Sequence, residues 1–439
     1  MSLIRPFCGV RFTEKAGIFK NLLAPPYDVI SDEFRETLYR RSEHNIVRIS
    51  KSREILQEQP ADHYKAAAVT WTEWREKGII ERDQEPSFYF YEQEFEIKQQ
   101  RFHRLGLVCA HKLVEFGQGV LPHEKTLSGP KEDRYRLLKQ TRSHFGQIFG
   151  LYADEDGNID SFLRRHLAEA QKLYEAVDDE GVLHRLRRLA NPEVVLQIEK
   201  LFSQKEMIIA DGHHRYETAL KYSKESGTRE SSFVMMTIVS LSDPGLLILP
   251  THRLIKNLEG WDIERLLADL APKFEVRRLK CDALNKEQKK DELLAAMKSF
   301  YEMGRSALGL YSGNREFVLL VKKNDVMPAV EGSLTYRSLD VVTLHKLILE
   351  DELGIDQAKL ALESNIEYIK DSGSAIDQSI ASVDQGTHQA VFFMNPTPMA
   401  QTEAVAKAGE KMPQKSTFFH PKFFDGLVTY AIEPGVVEA

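Results

Sequence analysis

The stretch Lys205–Leu220, KEMIIADGHHRYETAL, decides how the rest of the chain is read. An apolar burst, MIIA, is followed by Asp211-Gly212, then by His213, His214 and Arg215, then by residues with a helical apolar spacing. The pattern predicts a short buried strand, a tight turn and a helix starting at about His213. Such a corner leaves several backbone N–H groups at the helix start without intrahelical partners. Those groups and the helix dipole attract anions, phosphate above all. Gly212 allows a sharp turn and a close approach to a ligand. Arg215 opposes the dipole in the first turn, which points to an anionic partner, and the histidines can donate to oxygens or move a proton. The plainer reading is that Asp211 caps the helix, the histidines face solvent and Arg215 pairs with an acid. Side chains of adjacent helical residues diverge by about 100°, and the sequence holds no HExxH spacing. A zinc site is therefore not read at His213 and His214.

Around this corner the 439 residues suggest two or three domains. The texture changes near residue 256. The expected division is residues 1–255, a phosphate-binding domain with a helical insertion, and residues 256–439, a second α+β domain. The fold class is α+β with a mixed or antiparallel sheet. SFYFYEQEFEI and RFHRLGLVCAHKLV read as an antiparallel strand pair. NIVRIS reads as a strand, the residues from Ser161 to about Ser203 as mostly helix, and SSFVMMTIVSL and GLLILPTHRLI as neighbouring strands. The net charge of −7 argues against nucleic acid, which is bound by clustered Lys and Arg. No apolar run approaches a membrane span. Three dispersed cysteines give neither a disulfide framework nor a thiolate zinc site. A cytoplasmic protein is expected, and a homodimer is compatible with the sequence.

Other stretches carry candidate chemistry. PHEKT offers His123 or Glu124 as a base for a hydroxyl, with Lys125, Thr126 and the following Arg134 as phosphate ligands. It reads equally as a polar loop before a helix. In APPYDVI the prolines stiffen a loop that presents Asp28, as a catalytic carboxylate or as a turn residue. LPTHRLI carries His252-Arg253, a second His-Arg dipeptide, which would complete an anion cradle if it met the first. The closing MPQKSTFFHPKFFDGL lacks the glycines of a Walker A loop. With Lys415, Ser416, Thr417, His420 and Lys422 set among aromatics, it reads as a β-rich end of the second domain, with a role in closing over the site as the alternative.

RPFCGVRF, APPYDVI, PHEKT, ADGHHRYETA and ILPTHR, in this order, resemble the family called domain of unknown function 1015, often labelled SerK-like. DGHHRYETA also resembles the helix-start signature of the ParB/sulfiredoxin superfamily, in which the turn binds nucleotide phosphates and to which a free serine kinase is related. The resemblance implies a ParB/sulfiredoxin-like nucleotide-binding core. It implies a phosphotransferase that moves a phosphoryl group from ADP, ATP or pyrophosphate, with Mg²⁺, to a small hydroxyl metabolite such as L-serine. Phosphate binding carries over to Gly212, His213, His214 and Arg215, and Glu124 and Asp28 are the candidates for the proton-handling carboxylate. Sulfiredoxin chemistry needs a cysteine at this turn, and none is present. Alternatives are a nucleotide-binding switch without catalysis and a phosphoester hydrolase in which a histidine activates water.

Overall fold

A computed structural model describes residues 3–53, 62–126, 128–282, 284–313 and 316–437. It is a mixed α+β structure divided into two compact units. The first comprises Met1–Pro122, Thr126–Leu247 and Pro421–Ala439, and the second His123–Lys125 and Ile248–His420. The chain thus enters the second unit briefly at His123, and its last segment returns to the first. The closing stretch, expected to complete the second domain, is split: Pro421 onward belongs with the first unit.

The first unit is built on a nine-stranded mixed sheet. From one edge its order is Val120–Leu121, Met207–Asp211, Ile148–Tyr152, Phe233–Ser240, Gln100–Lys112, Phe88–Ile97, Leu183–Leu189 and Gln171–Val177, with Ile4–Arg5 also pairing on Gln100–Lys112. Two pairings are parallel, Met207–Asp211 on Val120–Leu121 and Phe233–Ser240 on Ile148–Tyr152; the rest are antiparallel. Ile148–Tyr152 and Phe233–Ser240 are buried along their whole length, in keeping with the mostly apolar FVMMTIVS. Phe88–Ile97 and Gln100–Lys112 form the expected hairpin. A second apolar cluster gathers Trp71 and Trp74 of helix His63–Glu76 with Phe12, Ile49 and Phe145.

Three sequence expectations are corrected. The region 161–203 is mostly not helix: Gln171–Val177 and Leu183–Leu189 form a hairpin around a turn whose Gly181 has φ 82°. Its charged residues decorate a sheet edge rather than a helix face. NIVRIS is a single helical turn, Val47–Ser50, because buried Asn45 accepts from the Val47 amide (2.9 Å) and anchors to the Asn21 and Leu23 carbonyls. Phe233–Ser240 and Thr251–Ile255 are not neighbours: the latter pairs with Ile366–Lys370 and Ala390–Phe393.

The second unit is built on a six-stranded sheet, ordered Phe274–Lys280, Glu316–Lys322, Ala307–Tyr311, Ala390–Phe393, Thr251–Ile255 and Ile366–Lys370. All its pairings are antiparallel. Helices such as Ile263–Leu270 and Lys286–Glu302 cover its apolar faces. Among the described residues no helix is long and apolar enough to cross a membrane.

Candidate functional site

The strand–turn–helix corner forms as its sequence dictates. Strand Met207–Asp211 is buried up to Ala210, Gly212 turns the chain at φ 89°, and helix His213–Ser226 follows. Only glycine adopts that φ without strain, and a side chain there would also meet the Arg215 guanidinium at 3.0 Å.

The corner supplies part of its own anion. Asp211 Oδ1 accepts from the Gly212 amide at 2.9 Å, and its other oxygen accepts from Lys422 Nζ at 2.9 Å and faces Arg215 at 3.7 Å. Burial would raise the Asp211 carboxyl, but Lys422 and Arg215 hold it well below the usual carboxylate range. Arg215 also donates to the Gln147 carbonyl at 2.5 Å. Burial disfavours its charge; Asp211, Asp425 and Asp28 more than restore it. His213 is buried in the first helical turn.

Sequence reasoning missed Asp425 and, although it noted Lys422 in the closing stretch, did not pair it with Asp211. The segment that carries them is clamped onto the first unit by long-range bonds. Gln93 Nε2 donates to the Lys422 carbonyl (2.9 Å), the Phe424 amide donates to Tyr91 Oη (3.1 Å), and Gln147 Nε2 donates to the Phe424 carbonyl (3.1 Å). Asp425 pairs through its backbone with Ala24 (2.8 and 3.3 Å), one residue before the double proline. Tyr91 is itself fixed by buried His184 (2.6 Å), whose other ring nitrogen bonds Asp178 (3.0 Å). The local signal was a charge at Lys422 and another at Asp425 inside an otherwise apolar run, KFFDGLVTYAI, where each needs a partner.

Asp425 is 3% exposed, and its Oδ1 has no hydrogen-bond partner. Burial pushes its carboxyl up to about 7, against the pull of Arg215 and Arg134. It lines a small cavity of about 50 Å³ together with Arg215, Tyr27, Ser50, Arg134 and Gly146. A second, larger cleft of about 660 Å³ shares the wall of Tyr27, Ser50, Arg134 and Leu137. Its lining is basic: Arg35, Lys51, Arg53, His63 and Arg134, against Glu36 and Asp133. Arg134 stacks on Tyr27, its guanidinium 3.9 Å from the ring centre, while donating to the Ser50 carbonyl (2.7 Å) and to Asp133 (2.6 Å). Burial pushes the Tyr27 hydroxyl up to about 12, against Arg134.

The remaining candidates divide between the two units. Asp28 is exposed in the turn Tyr27–Val29, and its charge bears on Tyr27, Lys51, Arg215 and Asp425. Thr126 donates to Glu217 (3.0 Å), which also accepts from Lys131 (2.9 Å). His123, Glu124, His252 and Arg253 all lie in the second unit. There Glu124 accepts from the Lys415 amide (3.2 Å), and His123 Nε2 bonds Thr417 Oγ1 (2.9 Å). Arg253 donates to the carbonyls of Lys415 (2.9 Å) and Thr251 and lies 5.2 Å from the Tyr368 ring centre. His252 Nδ1 accepts from the Met394 amide at 3.2 Å.

The family model described as Protein of unknown function (DUF1015) matches residues 4–342. The chain belongs to this family. Among solved structures it is similar to a conserved hypothetical protein from Pyrococcus furiosus, at 16% identity over 72% of this chain and 94% of that one, with a TM-score of 0.32. It is similar to free serine kinase in complex with AMP at 14% identity, over 69% of this chain and 83% of that one, TM-score 0.32. It is also similar to SbnI with C-terminal truncation from Staphylococcus aureus, at 11% identity over 74% and 89% of the two chains, TM-score 0.33. No curated protein matches the chain.

Proposed function

We propose that this DUF1015 chain is a small-molecule phosphotransferase of the free-serine-kinase type, moving a phosphoryl group from ADP, ATP or pyrophosphate to a hydroxyl metabolite, L-serine first. The observation that carries the reading is the wall of Tyr27, Ser50, Arg134 and Leu137 shared by the basic cleft and the Arg215–Asp425 cavity. Phosphoryl transfer asks the protein mainly to position two partners and to neutralise charge. A volume of about 660 Å³ suits a ligand of nucleotide size.

Charge decides where the donor's phosphates go. At the corner two cations, Arg215 and Lys422, face two carboxyl groups, Asp211 and Asp425. The surplus of positive charge lies in the cleft, on Arg35, Lys51, Arg53 and Arg134. The phosphate tail therefore lies along the cleft. Its terminal group reaches toward Arg215 and the start of helix His213–Ser226, where Gly212, His213 and His214 complete the ParB/sulfiredoxin-like turn. Arg215 neutralises the charge that develops on the transferring group.

Among the described residues no group of three metal-ligating side chains occurs. Mg²⁺ is usually held by phosphates with one or two carboxylates. It would enter with the donor and supply charge neutralisation, with exposed Asp28 as the carboxylate at hand. The test is incubation of the protein with L-serine, MgCl₂ and each donor in turn, with phosphoserine read by phosphorus NMR. Phosphoserine with at least one donor is the expected result. Phosphate release without serine would point to a hydrolase, and no turnover together with no donor binding would remove the proposal.

A further inference from the structure

We propose that the small cavity between Arg215 and the Tyr27 loop receives the acceptor's hydroxyl group, and that Asp425 takes its proton. This rests on the phosphotransferase reading and goes beyond it by naming the base and the acceptor's place. Two independent observations carry it. Asp425 is buried, yet its Oδ1 is unpartnered, and a buried acceptor without a donor is rare unless a ligand or water completes it. The cavity on which it opens measures about 50 Å³, room for a hydroxymethyl group or a few waters. The cavity and the basic cleft have the wall of Tyr27, Ser50, Arg134 and Leu137 in common, which puts a hydroxyl in the cavity next to a phosphoryl group held against that wall.

Asp425 fits this role better than the carboxylates read from the sequence. Glu124 accepts from the Lys415 amide in the second unit, and Asp28 is exposed. Asp211 carries two cations that hold it ionised and weakly basic. A base is most effective with a pKa near the working pH, and Asp425 is the carboxyl here that burial pushes up to about 7. The balanced step is direct. The acceptor oxygen attacks the donor's terminal phosphorus, and its O–H proton passes to Asp425 Oδ1. The bond from phosphorus to the bridging oxygen breaks, its electron pair leaving with the nucleoside phosphate or phosphate. Asp425 then releases the proton to water as product departs.

The groups facing Asp425 make its titration readable. They are Arg215 and Asp211 from the corner, Arg134 from helix Ser128–Thr141, Asp28 and Tyr27 from the proline loop, and His144 from strand Ser143–His144. Burial pushes His144 down to about 4, and Tyr27 sits at about 12. The donor's terminal phosphate also ionises near this range, so the part of an acid limb in kcat/KM near pH 7 that Asp425→Asn removes belongs to Asp425.

The experiment compares wild type with Asp425→Asn, measuring phosphoserine formation at pH 8, donor affinity by calorimetry with ADP, ATP and pyrophosphate, and the pH profile of kcat/KM. Expected are a fall in kcat of about 100-fold or more, donor affinity within about threefold of wild type, and loss of the acid limb. Retained turnover with the acid limb intact, in the presence of an active wild type, overturns the role of Asp425 and leaves the phosphotransferase reading standing. Loss of donor binding together with turnover also overturns it, since Asp425 would then act as a structural partner of Arg215. An inactive wild type removes both. Should the variant fail to fold, the wild-type profile decides: a flat kcat/KM between pH 5.5 and 8 overturns the assignment.

Discussion

His214-Arg215 and His252-Arg253 are the same dipeptide, and the two arginines have opposite surroundings. Arg215 faces carboxyl groups and lines a cavity; Asp211, Asp425 and Asp28 outweigh burial and raise its pKa. Arg253 is 2% exposed and donates to main-chain carbonyls in the loop at Lys415 and at Thr251. Burial pulls it down to about 10, with Tyr368 and Glu124 opposing. A cation answered by carboxylates beside open space can exchange partners with a ligand. A cation spent on backbone carbonyls holds a loop. On the proposed function, the comparison makes Arg215 the arginine to act on the ligand and Arg253 the one to hold a loop. The sharpest way to break it is Arg215→Ala: turnover should fall by about 1,000-fold, the scale of an arginine that stabilises transferring phosphoryl. Activity within tenfold of wild type would place the two arginines in the same class.

Arg253→Met sharpens the comparison from the other side. Removing the guanidinium leaves the Lys415 and Thr251 carbonyls without their donor. A loss of about 3 kcal/mol follows from buried acceptors left unsatisfied, with turnover per folded molecule kept. Urea unfolding and activity at matched folded fractions measure both. A variant as stable as wild type but inactive would reverse the assignment.

What was legible in the sequence follows the range of the interactions involved. The corner Met207–Ser226 was readable because its signals are local: an apolar run, Asp-Gly and a helical periodicity. The hairpin of Phe88–Ile97 and Gln100–Lys112 was readable for the same reason. The edge hairpin Gln171–Leu189 was not, since KLYEAV and HRLRRL put charges on a solvated sheet edge that resemble an exposed helix face. Val47–Ser50 escaped because its conformation depends on Asn45 reaching Asn21 and Leu23, more than twenty residues away. Asp425, and the placement of Lys422 beside Asp211, escaped for a stronger version of that reason. Their place is set by Gln93, Tyr91, Gln147 and Ala24, which the chain brings together across most of its length. Local pattern supplied the corner with its own Asp211 and Arg215, and only long-range geometry brings Lys422 and Asp425 to it.

Acid–base behaviour separates the two carboxyl groups at Arg215. Asp425 titrates higher in the fold than an unfolded aspartate, so the native state holds a proton that the unfolded chain releases between about pH 4 and 7. Stability attributable to this group falls as pH rises through that window. Asp211 is depressed, so its contribution is present above about pH 4 and is lost as pH falls below it. Asp425→Asn should therefore be more stable than wild type at pH 8 by roughly 2 kcal/mol, with the gain shrinking toward pH 5. Equal stabilities at both pH values, measured by urea unfolding, would mean that Asp425 is ionised as readily in the fold as outside it.

Gly146 tests whether the two halves of the first-unit site touch through space rather than through bonds. A Cβ at that position would lie 2.8 Å from an Arg215 guanidinium nitrogen and 3.1 Å from Asp425 Oδ1. Both are ends of side chains, so Gly146→Ala should displace them without unfolding the sheet, at a cost of about 1 kcal/mol in stability. The functional effect should be larger than the structural one, because a displacement of that size at reacting groups costs on the order of 10- to 100-fold in rate. The matched control is Gly309→Ala in the second unit, where a Cβ would meet Met297 Sδ at 2.8 Å in an apolar core of that unit. That control should lose stability and keep its turnover. If both alanines reduced stability and rate alike, crowding beside Arg215 would be no different from crowding in any core, and the distinction between a functional and a structural arginine would lose its geometric basis.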